Sequence, residues 1–372
     1  MHRLLASAAL VLAACNAGDG ASAQGSPPAT GLPFKVATVA DFDAPWAMTF
    51  LPDGRMLVTE KAGALLLVSA DGAQKMTVAG TPAVDSAGQG GLMDVVLAPD
   101  FARSRHVYLS WSEAGAGGKG VALGRGKLAA DGSRLEGFET IFRATPFVEG
   151  NGHYSGRIAF SPDGKHLFFT NGERQKFDPA QDPKATLGKV LRLTLDGKPA
   201  PGNPLAKQGF HPAVWSYGHR NLLGIAFDAK GNLWEQEMGP KGGDEVNLIQ
   251  PGKNYGYPVV SDGDHYDGRD IPNHSTRPEF EKYKVNWTPV ISPGGLIVYS
   301  GAMFPEWRGD LFIGGLSSKS LIRVDVNGTN ATKGDQWPMG TRIREVEQGP
   351  DGAIWLLEDG GRAQGRLFKV TR

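Results

Sequence analysis

Cysteine is all but absent from this chain of 372 residues, because Cys15 is the only one. A disulfide needs two cysteines, so an intramolecular disulfide is excluded. An excess of charge of either sign is also missing, since 39 Lys and Arg balance 39 Asp and Glu. This balance argues against a general nucleic-acid binder, which carries a basic excess. After the first residues, no apolar run reaches the roughly 20 residues that a membrane-spanning helix needs.

The N-terminus has the features of an export signal. Two basic residues precede a short apolar segment at residues 4–14. Two cleavage sites fit this segment. Residues 12–15 resemble a lipobox, which would place a lipid anchor on Cys15, and cleavage after Ala23 would instead release an unanchored protein. We therefore predict a periplasmic or otherwise exported protein, built of an export signal at residues 1–23, a flexible linker at 24–33 and one folded domain at 34–372.

Glycine and proline are abundant, at 52 and 25 residues, and many of them lie at the turns of a repeated unit. Each copy has an apolar strand, a turn of the Pro-Asp-Gly type and a second apolar strand, which is a strong hairpin signal. A further Asp-Gly or Asn-Gly turn follows most copies. Two hairpins per repeat predict an all-β, six-bladed β-propeller of four-stranded antiparallel blades, because a β-sandwich pair would not repeat one turn six times. The copies lie at residues 48–58, 95–109, 158–168, 225–234, 296–313 and 348–355.

Hard oxygen donors are concentrated between residues 216 and 258. Asp244 and Glu245 follow a turn whose backbone carbonyls, at Gly239 and Pro240, are not needed by a regular strand. Calcium takes six to eight oxygen ligands of these two kinds. The segment is therefore either a calcium site or an ordinary solvated acidic turn, and its residues alone do not decide between them.

Three other loops contain residues that could act on a ligand. His153 stands on a Gly-flanked loop and could be a general base, because a histidine pKa lies near neutral pH. The glycines of residues 88–94 would let the backbone approach a ligand closely. Arg342 and Arg344 share one face of a strand, and with Lys319 they would attract a small polyanion. Each loop alone could equally be surface structure.

Taken in order, seven segments resemble those of the soluble PQQ-dependent sugar dehydrogenases, most closely the aldose sugar dehydrogenase branch. The resemblance covers residues 34–370 and implies oxidation of aldoses to lactones, with electrons passed to an external acceptor. The cofactors it implies are PQQ and Ca²⁺. The segments are residues 88–92, 153–157, 188–193, 218–221, 237–240, 244–248 and 254–258.

The resemblance also implies roles for individual residues. His153 would remove the proton from the anomeric hydroxyl, and Gln89 would lie beside the reacting centre. Arg220 and Asn221 would contact PQQ near its reactive carbonyl. Lys319, Arg342 and Arg344 would contact the PQQ carboxylates, and Trp287 would also contact PQQ.

The resemblance implies two calcium sites as well. The carbonyls of Gly239 and Pro240 would bind the catalytic calcium. Glu245 and Tyr255, with Asp244 beside them, would bind a structural calcium.

The sequence departs from the glucose-specialised branch of this family at two positions beside the base. Gly152 stands where that branch has an acid that would orient the histidine, and Arg174 stands where it has Gln. The longer insertions of that branch are also missing. We interpret these differences as a more open site with broader aldose specificity.

Two other functions fit a propeller of this size. A calcium-dependent lactone hydrolase would line its channel with acids and Asn rather than with basic residues. A non-catalytic propeller that binds carbohydrate or protein would not need His153, Arg220 and Lys319 together.

Overall fold

The repeated hairpin forms the two inner strands of six four-stranded sheets. A computed structural model describes residues 31–360 and 364–372, so the predicted export signal and Cys15 lie outside the described residues. Six antiparallel sheets of four strands confirm the predicted six-bladed propeller. Among the described residues, no helix has the length and apolar character needed to cross a membrane.

The strands of the described residues are, in chain order, β1 (Lys35–Asp41), β2 (Pro45–Phe50), β3 (Met56–Glu60), β4 (Leu65–Val68), β5 (Lys75–Thr77), β6 (Leu92–Leu97), β7 (His106–Gly115), β8 (Gly118–Leu128), β9 (Leu135–Arg143), β10 (Ser155–Phe160), β11 (His166–Asn171), β12 (Lys189–Thr194), β13 (Val214–Tyr217), β14 (Leu222–Phe227), β15 (Leu233–Glu237), β16 (Lys241–Gly242), β17 (Asp244–Leu248), β18 (Gly263–Asp264), β19 (Val285–Trp287), β20 (Pro293–Val298), β21 (Leu311–Gly315), β22 (Ser320–Asn327), β23 (Asn330–Pro338), β24 (Ile343–Gln348), β25 (Ile354–Glu358) and β26 (Arg366–Thr371). In the same described ranges, the helices are α1 (Phe101–Ser104) and four 3₁₀ turns at Asp178–Ala180, Ala206–Gln208, His274–Thr276 and Pro305–Trp307.

The blades follow one another along the chain and are numbered I to VI. Blade I is β2–β5, blade II is β6–β9, blade III is β10–β13, blade IV is β14, β15, β17 and β19, and blade V is β20–β23. Blade VI combines β24, β25 and β26 with β1, which pairs antiparallel with β26. The N-terminal strand therefore completes the last blade and closes the ring.

The first strands of the blades surround the central channel. Each of β2, β6, β10, β14, β20 and β24 contacts the first strand of the next blade, and β24 contacts β2. Inside the channel the buried guanidinium of Arg157 contacts the carboxylates of Asp94, at 3.3 Å, and Glu345. Apolar side chains fill the spaces between neighbouring blades.

A β-bulge interrupts the start of every first strand. In each blade the register between the first and second strands shifts within the first few residues of the first strand. Bulges bend a strand and redirect its side chains, and they are common beside active sites. The six bulges lie at one end of the propeller, where first strands begin and second strands end, and the loops at that end form the candidate site.

Candidate active site

A cavity of about 460 Å³ opens at this end of the channel. All six blades contribute to its wall, which is the geometry expected of a ligand site on a propeller. Its lining residues are Ala44, Pro45, Trp46, Lys61, Gly88, Gln89, Met93, Tyr154, Ser155, Asn221, Leu223, Met238, Ser292, Leu316, Arg342, Arg344 and Asp359.

His153, the predicted base, is buried beside this cavity at the start of blade III. Its backbone adopts a φ of 49°, in the left-handed region, just before β10. The His153 backbone N–H donates a 2.7 Å hydrogen bond to Oε1 of Gln89, which lines the cavity from blade II. The fold therefore brings together the two residues that the sequence placed at the reacting centre.

Glu173 orients the His153 ring, a role that sequence analysis did not assign to it. One Glu173 oxygen is in hydrogen-bond contact with His153 Nδ1. The other accepts the backbone N–H groups of Lys176 and Phe177, at 2.6 and 2.7 Å. The repeated hairpin in the sequence could have indicated this contact. In the β10–β11 hairpin Ser155 pairs with Asn171, so His153 and Glu173, which flank that pair, lie close together.

The electrostatics of this pair favour a neutral imidazole beside an ionised carboxylate. Burial lowers the pKa of His153, and the charge of Arg220 lowers it further, against the opposing effect of Glu173. Burial by itself raises the pKa of Glu173, but the His153 hydrogen bond, the Phe177 N–H and the Arg220 charge outweigh it, so this pKa lies below its ordinary value. The proton is therefore assigned to Nδ1, which leaves Nε2 able to accept one.

Gly152 and Arg174, the two departures from the glucose-specialised branch, both act on the loop that carries His153. A Cβ on Gly152 would lie 2.5 Å from Oε1 of Gln175, so a larger residue would require the end of the Gln175 side chain to move. Arg174 is fully buried, and its guanidinium donates to the backbone carbonyls of Lys119, Gly150 and Gly152 at 2.7, 2.7 and 2.8 Å. Arg174 therefore fixes the loop, and Glu173 supplies the acid that position 152 lacks.

Arg220 and Asn221 lie at the start of blade IV. One Arg220 nitrogen, Nη1, donates to the carbonyls of Met238 and Gly239 at 2.9 and 2.6 Å. Its Nε is buried with no hydrogen-bond partner among the described residues. Asn221 lines the cavity, and its Oδ1 accepts a 3.2 Å hydrogen bond from the Ser155 hydroxyl. Arg220 therefore retains a donor that a ligand could satisfy.

Arg342 and Arg344 line the cavity from blade VI and share one counter-ion. Both guanidinium groups contact Oδ2 of Asp359, at 2.7 and 2.9 Å. Burial lowers the pKa of Arg344. Burial alone raises the pKa of Asp359, but the two arginines outweigh this effect and the pKa lies below its usual value. The sequence predicted the shared face of the two arginines but not the carboxylate that joins them.

Two lysines differ in how they relate to the cavity. Lys319 is exposed on the loop after β21, close to the lining residue Leu316, but Lys319 itself does not line the cavity. Lys61 was not singled out from the sequence, yet it lines the cavity from blade I, and its ammonium group donates to the carbonyl of Gly88. The cationic groups of the wall are therefore Lys61, Arg342 and Arg344.

The predicted calcium ligands occupy the turn after β15 and the start of β17. The carbonyl of Gly239 accepts the Arg220 bond, and that of Pro240 accepts the N–H of Gly242 at 3.1 Å. A Cβ on Gly239 would lie 2.2 Å from the carbonyl oxygens of both Gly242 and Gly243. Backbone oxygens are thus crowded into this turn, as a cation site built from carbonyls requires.

The side chains of Asp244 and Tyr255 are already fully engaged. The Asp244 carboxylate accepts the N–H groups of Gly239, Ile291 and Ser292 at 2.9, 2.7 and 2.7 Å. Burial raises the pKa of Asp244 to about 6. The Tyr255 hydroxyl donates to the Leu248 carbonyl at 2.6 Å and accepts the Gln250 N–H at 2.8 Å. Glu245, the third residue predicted for a structural calcium, has only long contacts: Oε1 lies 3.4 Å from Nε2 of His274, and Oε2 accepts the Asn247 amide at 3.5 Å.

A buried acidic cluster adjoins Glu245. Glu235, Glu237 and His219 have ligand atoms within 4.8 Å of one another, and the Asn247 amide donates to Glu235, Glu237 and Glu245 at 3.1, 3.4 and 3.5 Å. Burial raises the pKa of Glu245 to about 7 and that of Glu235 well above its ordinary value. Oε1 of Glu235 has no partner among the described residues. Buried carboxylates in this number require protons or a cation.

Trp287, like Lys319, is a predicted cofactor contact that the fold places outside the lining of the cavity. It ends β19, the outermost strand of blade IV, and it lines a separate groove between blades IV and V. The ammonium group of Lys333 lies 5.6 Å from the centre of its ring. The outer position of its strand explains why Trp287 does not reach the central cavity.

Known proteins resemble this chain over most of its length. The sequence model of the Glucose / Sorbosone dehydrogenase family matches residues 42–369. The aldose sugar dehydrogenase YliI of Escherichia coli is 41% identical over 338 residues, covering 88% of this chain and 90% of that protein.

Solved structures show the same architecture. A crystal structure of a glucose dehydrogenase superposes with a TM-score of 0.87 at 42% identity, covering 91% of this chain and 99% of its own. The PQQ-bound form of an aldose sugar dehydrogenase from Streptomyces coelicolor gives a TM-score of 0.73 at 31% identity, covering 93% and 100%.

Proposed function

The chain belongs to the Glucose / Sorbosone dehydrogenase family, and from that premise we propose that it oxidises aldoses at the anomeric carbon with PQQ and calcium. One observation carries the proposal. A neutral His153, oriented by Glu173, lies beside a cavity whose opposite side is cationic through Arg342 and Arg344. A base facing a polyanion site suits a reaction in which the base removes a proton from the sugar hydroxyl and a hydride passes from the sugar to an anionic quinone.

The cavity wall fits PQQ, a planar quinone with three carboxylates. Arg342, Arg344 and Lys61 supply positive charge along the wall, and guanidinium groups bind carboxylates bidentately. Arg220, whose buried Nε has no partner among the described residues, adjoins this wall through its neighbour Asn221, which lines the cavity from blade IV. The same wall argues against the lactone hydrolase alternative, which would need acids and Asn in place of the arginines.

The donor set after β15 fits calcium. The carbonyls of Gly239 and Pro240 would hold the catalytic ion, which acts as a Lewis acid on a cofactor carbonyl when bound. Glu245, with Glu235 and Glu237 behind it, would hold a second ion. A small cavity of about 10 Å³, lined by Glu237, Glu245 and Tyr255, has the size of one ion or water.

The proposed reaction removes a hydride and a proton from the sugar C1–OH group and leaves a lactone. Nε2 of His153 accepts the hydroxyl proton, while Glu173 stabilises the imidazolium that results. Gln89 fixes the His153 backbone, so the ring stays in place as it changes charge. PQQ supplies the two-electron acceptor chemistry when bound. Arg220 provides a fixed positive charge where negative charge develops.

The Glu173→Gln variant is expected to lose about 10²-fold in kcat, because loss of the charge leaves the imidazolium without its partner. Glu173 raises the pKa of His153, so its neutralisation lowers that pKa further. The acidic limb of kcat/KM, where the base becomes protonated, should therefore move to lower pH. Steady-state kinetics from pH 4 to 8 measure both effects, and an unchanged profile would show that Glu173 does not tune the base.

Reconstitution tests the function itself. Purified apo-protein, loaded with PQQ and Ca²⁺, should reduce an artificial dye with glucose, galactose and maltose at similar kcat/KM, because the site is expected to be open. Omission of either PQQ or Ca²⁺ should abolish the signal.

Three outcomes of that assay contradict parts of the account. If chelator-treated protein reduces the dye without added calcium, the proposed calcium dependence is wrong. If only glucose is oxidised efficiently, the proposed broad specificity is wrong. Hydrolysis of a lactone without any dye reduction would favour the hydrolase.

The cellular location is a further prediction that rests on the N-terminal sequence. An export signal within residues 1–23, cleaved either before Cys15, which would then carry a lipid anchor, or after Ala23, would place the enzyme in the periplasm or otherwise outside the cytoplasm, where an external acceptor takes its electrons.

A further inference from the structure

One buried lysine close to the site takes no direct part in the proposed reaction. Lys189 begins β12, the third strand of blade III, and its side chain is fully buried. Its ammonium group donates to the backbone carbonyls of Pro179, Ala180 and Leu187 at 2.7, 2.9 and 2.8 Å. A buried charge is tolerated only when its hydrogen bonds are made, and here three hydrogens meet three acceptors. Lys189 is therefore a built-in cation held by three carbonyls, which we call the carbonyl cage.

The carbonyl cage belongs to the loop that joins β11 to β12, and Glu173 lies at the start of this loop. The 3₁₀ turn Asp178–Ala180 is on the first limb of the loop, and Leu187 is on the second. The strand that carries Lys189 is paired on both sides, with β11 and with β13. The ammonium group thus joins both limbs of a long loop to the rigid middle of the blade.

A continuous path of hydrogen bonds runs from Lys189 to the base. The Ala180 N–H donates to the Phe177 carbonyl at 3.0 Å, and the Phe177 N–H donates to Glu173 at 2.7 Å. The other Glu173 oxygen contacts Nδ1 of His153. Phe177 has a φ of 63°, a conformation that a bulky residue keeps only where surrounding contacts impose it. The position of the Glu173 carboxylate therefore depends on the conformation of this loop.

A second path joins the same loop to the start of blade IV. The Ala180 carbonyl, which accepts the Lys189 ammonium, also accepts the N–H of Gly218 at 3.0 Å. Gly218 lies two residues before Arg220, and the Arg220 carbonyl accepts the N–H of Glu173 at 2.9 Å. Lys189 is thus bound at the carbonyl where the loop of Glu173 meets the segment that carries Arg220.

We propose that Lys189 is a positioning residue for the base, because its ammonium group holds the loop in the conformation in which Glu173 faces His153. A side chain without donors would leave three buried carbonyls unsatisfied, and the loop would relax to solvate them. Burial lowers the pKa of Lys189 to about 7 and that of His153 below its ordinary value, so Lys189 is largely protonated while His153 titrates. The inference rests on the proposed function, because it adds a residue to the proposed proton transfer.

The Lys189→Ala variant of the enzyme loaded with PQQ and Ca²⁺ should lose about 10- to 10²-fold in kcat, since a small misplacement of a catalytic group costs up to about 10²-fold. The acidic limb of kcat/KM should move to lower pH, because a displaced Glu173 no longer raises the pKa of His153. Lys165→Ala is the control, since it removes an exposed lysine from the β10–β11 turn at the opposite end of the same blade. It should change neither quantity.

Chemical rescue shows whether the ammonium group itself is needed. Propylammonium has the three carbons and the ammonium group that the change to alanine removes, so it should occupy the carbonyl cage and restore most of kcat in Lys189→Ala. Tetramethylammonium has no N–H group and should restore none. Lys189→Met fills the space without a donor, so it should show the same shift of the acidic limb without rescue. Equal effects of the two ions on Lys189→Ala would overturn the proposal.

A double variant separates positioning of Glu173 from general stabilisation of the fold. If Lys189 acts through Glu173, then Lys189→Met/Glu173→Gln should be no slower than Glu173→Gln alone, because two residues on one path do not have additive effects. Additive losses in kcat would show that Lys189 acts independently of Glu173 and would overturn the proposal.

An NMR titration keeps this inference separate from the proposed function. The pKa of His153, measured on its ring in the protein without PQQ, should be about 1 unit lower in Lys189→Met than in wild type, the effect of losing a nearby opposite charge. If it falls in this way while wild type oxidises no aldose, the proposed function fails and the positioning role stands. An unchanged His153 pKa would overturn the positioning role.

Discussion

The His153→Ala variant is expected to lose about 10²- to 10⁴-fold in kcat, the range that a positioned general base contributes. The loss follows from the geometry, because His153 presents beside the cavity a neutral nitrogen backed by the buried carboxylate of Glu173. The variant should still bind PQQ, since the arginines of blade VI are untouched. Steady-state kinetics and a PQQ titration measure the two effects separately.

His106→Ala is a matched control for this variant. His106 begins β7, the second strand of blade II, whereas the site lies where second strands end. Its removal should leave kcat within about 2-fold of wild type, because a substitution far from the site and from the core usually has little effect. Turnover by His153→Ala at the wild-type rate would show that another group removes the proton.

The double variant Arg342→Ala/Arg344→Ala is expected to weaken PQQ binding by about 10²- to 10⁴-fold. Each charge-assisted hydrogen bond contributes roughly 1.5–3 kcal/mol, and every 1.4 kcal/mol is about tenfold in Kd. The change also leaves Asp359 without its two counter-ions, so its negative charge would repel an anionic cofactor. Fluorescence titration of the apo-protein with PQQ measures the Kd.

Two further variants separate these contributions. Adding Asp359→Asn to the double variant removes the repulsion and should recover part of the affinity but not all of it. Arg55→Ala removes an arginine of the β2–β3 turn at the other end of the propeller and should leave the Kd unchanged. A double variant that binds PQQ as tightly as the wild type would place the cofactor carboxylates elsewhere.

Local sequence signals predicted the fold well, because each blade begins with a hairpin whose turn is determined by a few consecutive residues. The six copies became the first two strands of the six blades, from β2–β3 to β24–β25. The closure of the ring was not predicted, since the pairing of β1 with β26 joins the two ends of the chain and leaves no local pattern.

The site was predicted only where one motif contains both partners. Arg342 and Arg344 are two residues apart, so their shared face could be inferred, but Asp359 meets them only after the β24–β25 hairpin forms. Gly152 suggested that the base lacks an orienting acid. That interpretation was incomplete, because Glu173, just after the end of the neighbouring strand β11, contacts the His153 ring. Lys61 reaches the cavity from blade I by tertiary folding alone.

The central claim is that one cavity holds both an anionic quinone and the base that deprotonates an aldose. Anaerobic single turnover tests it most directly. Apo-protein loaded with one equivalent of PQQ and with Ca²⁺ is mixed with glucose, and the absorption spectrum of the cofactor is followed without any external acceptor. The account predicts that wild type reduces one equivalent of PQQ per protein and that His153→Ala, with its PQQ bound, reduces it at least about 10²-fold more slowly. Bound PQQ that stays oxidised in wild type with every aldose, or equally fast reduction in both proteins, would contradict it.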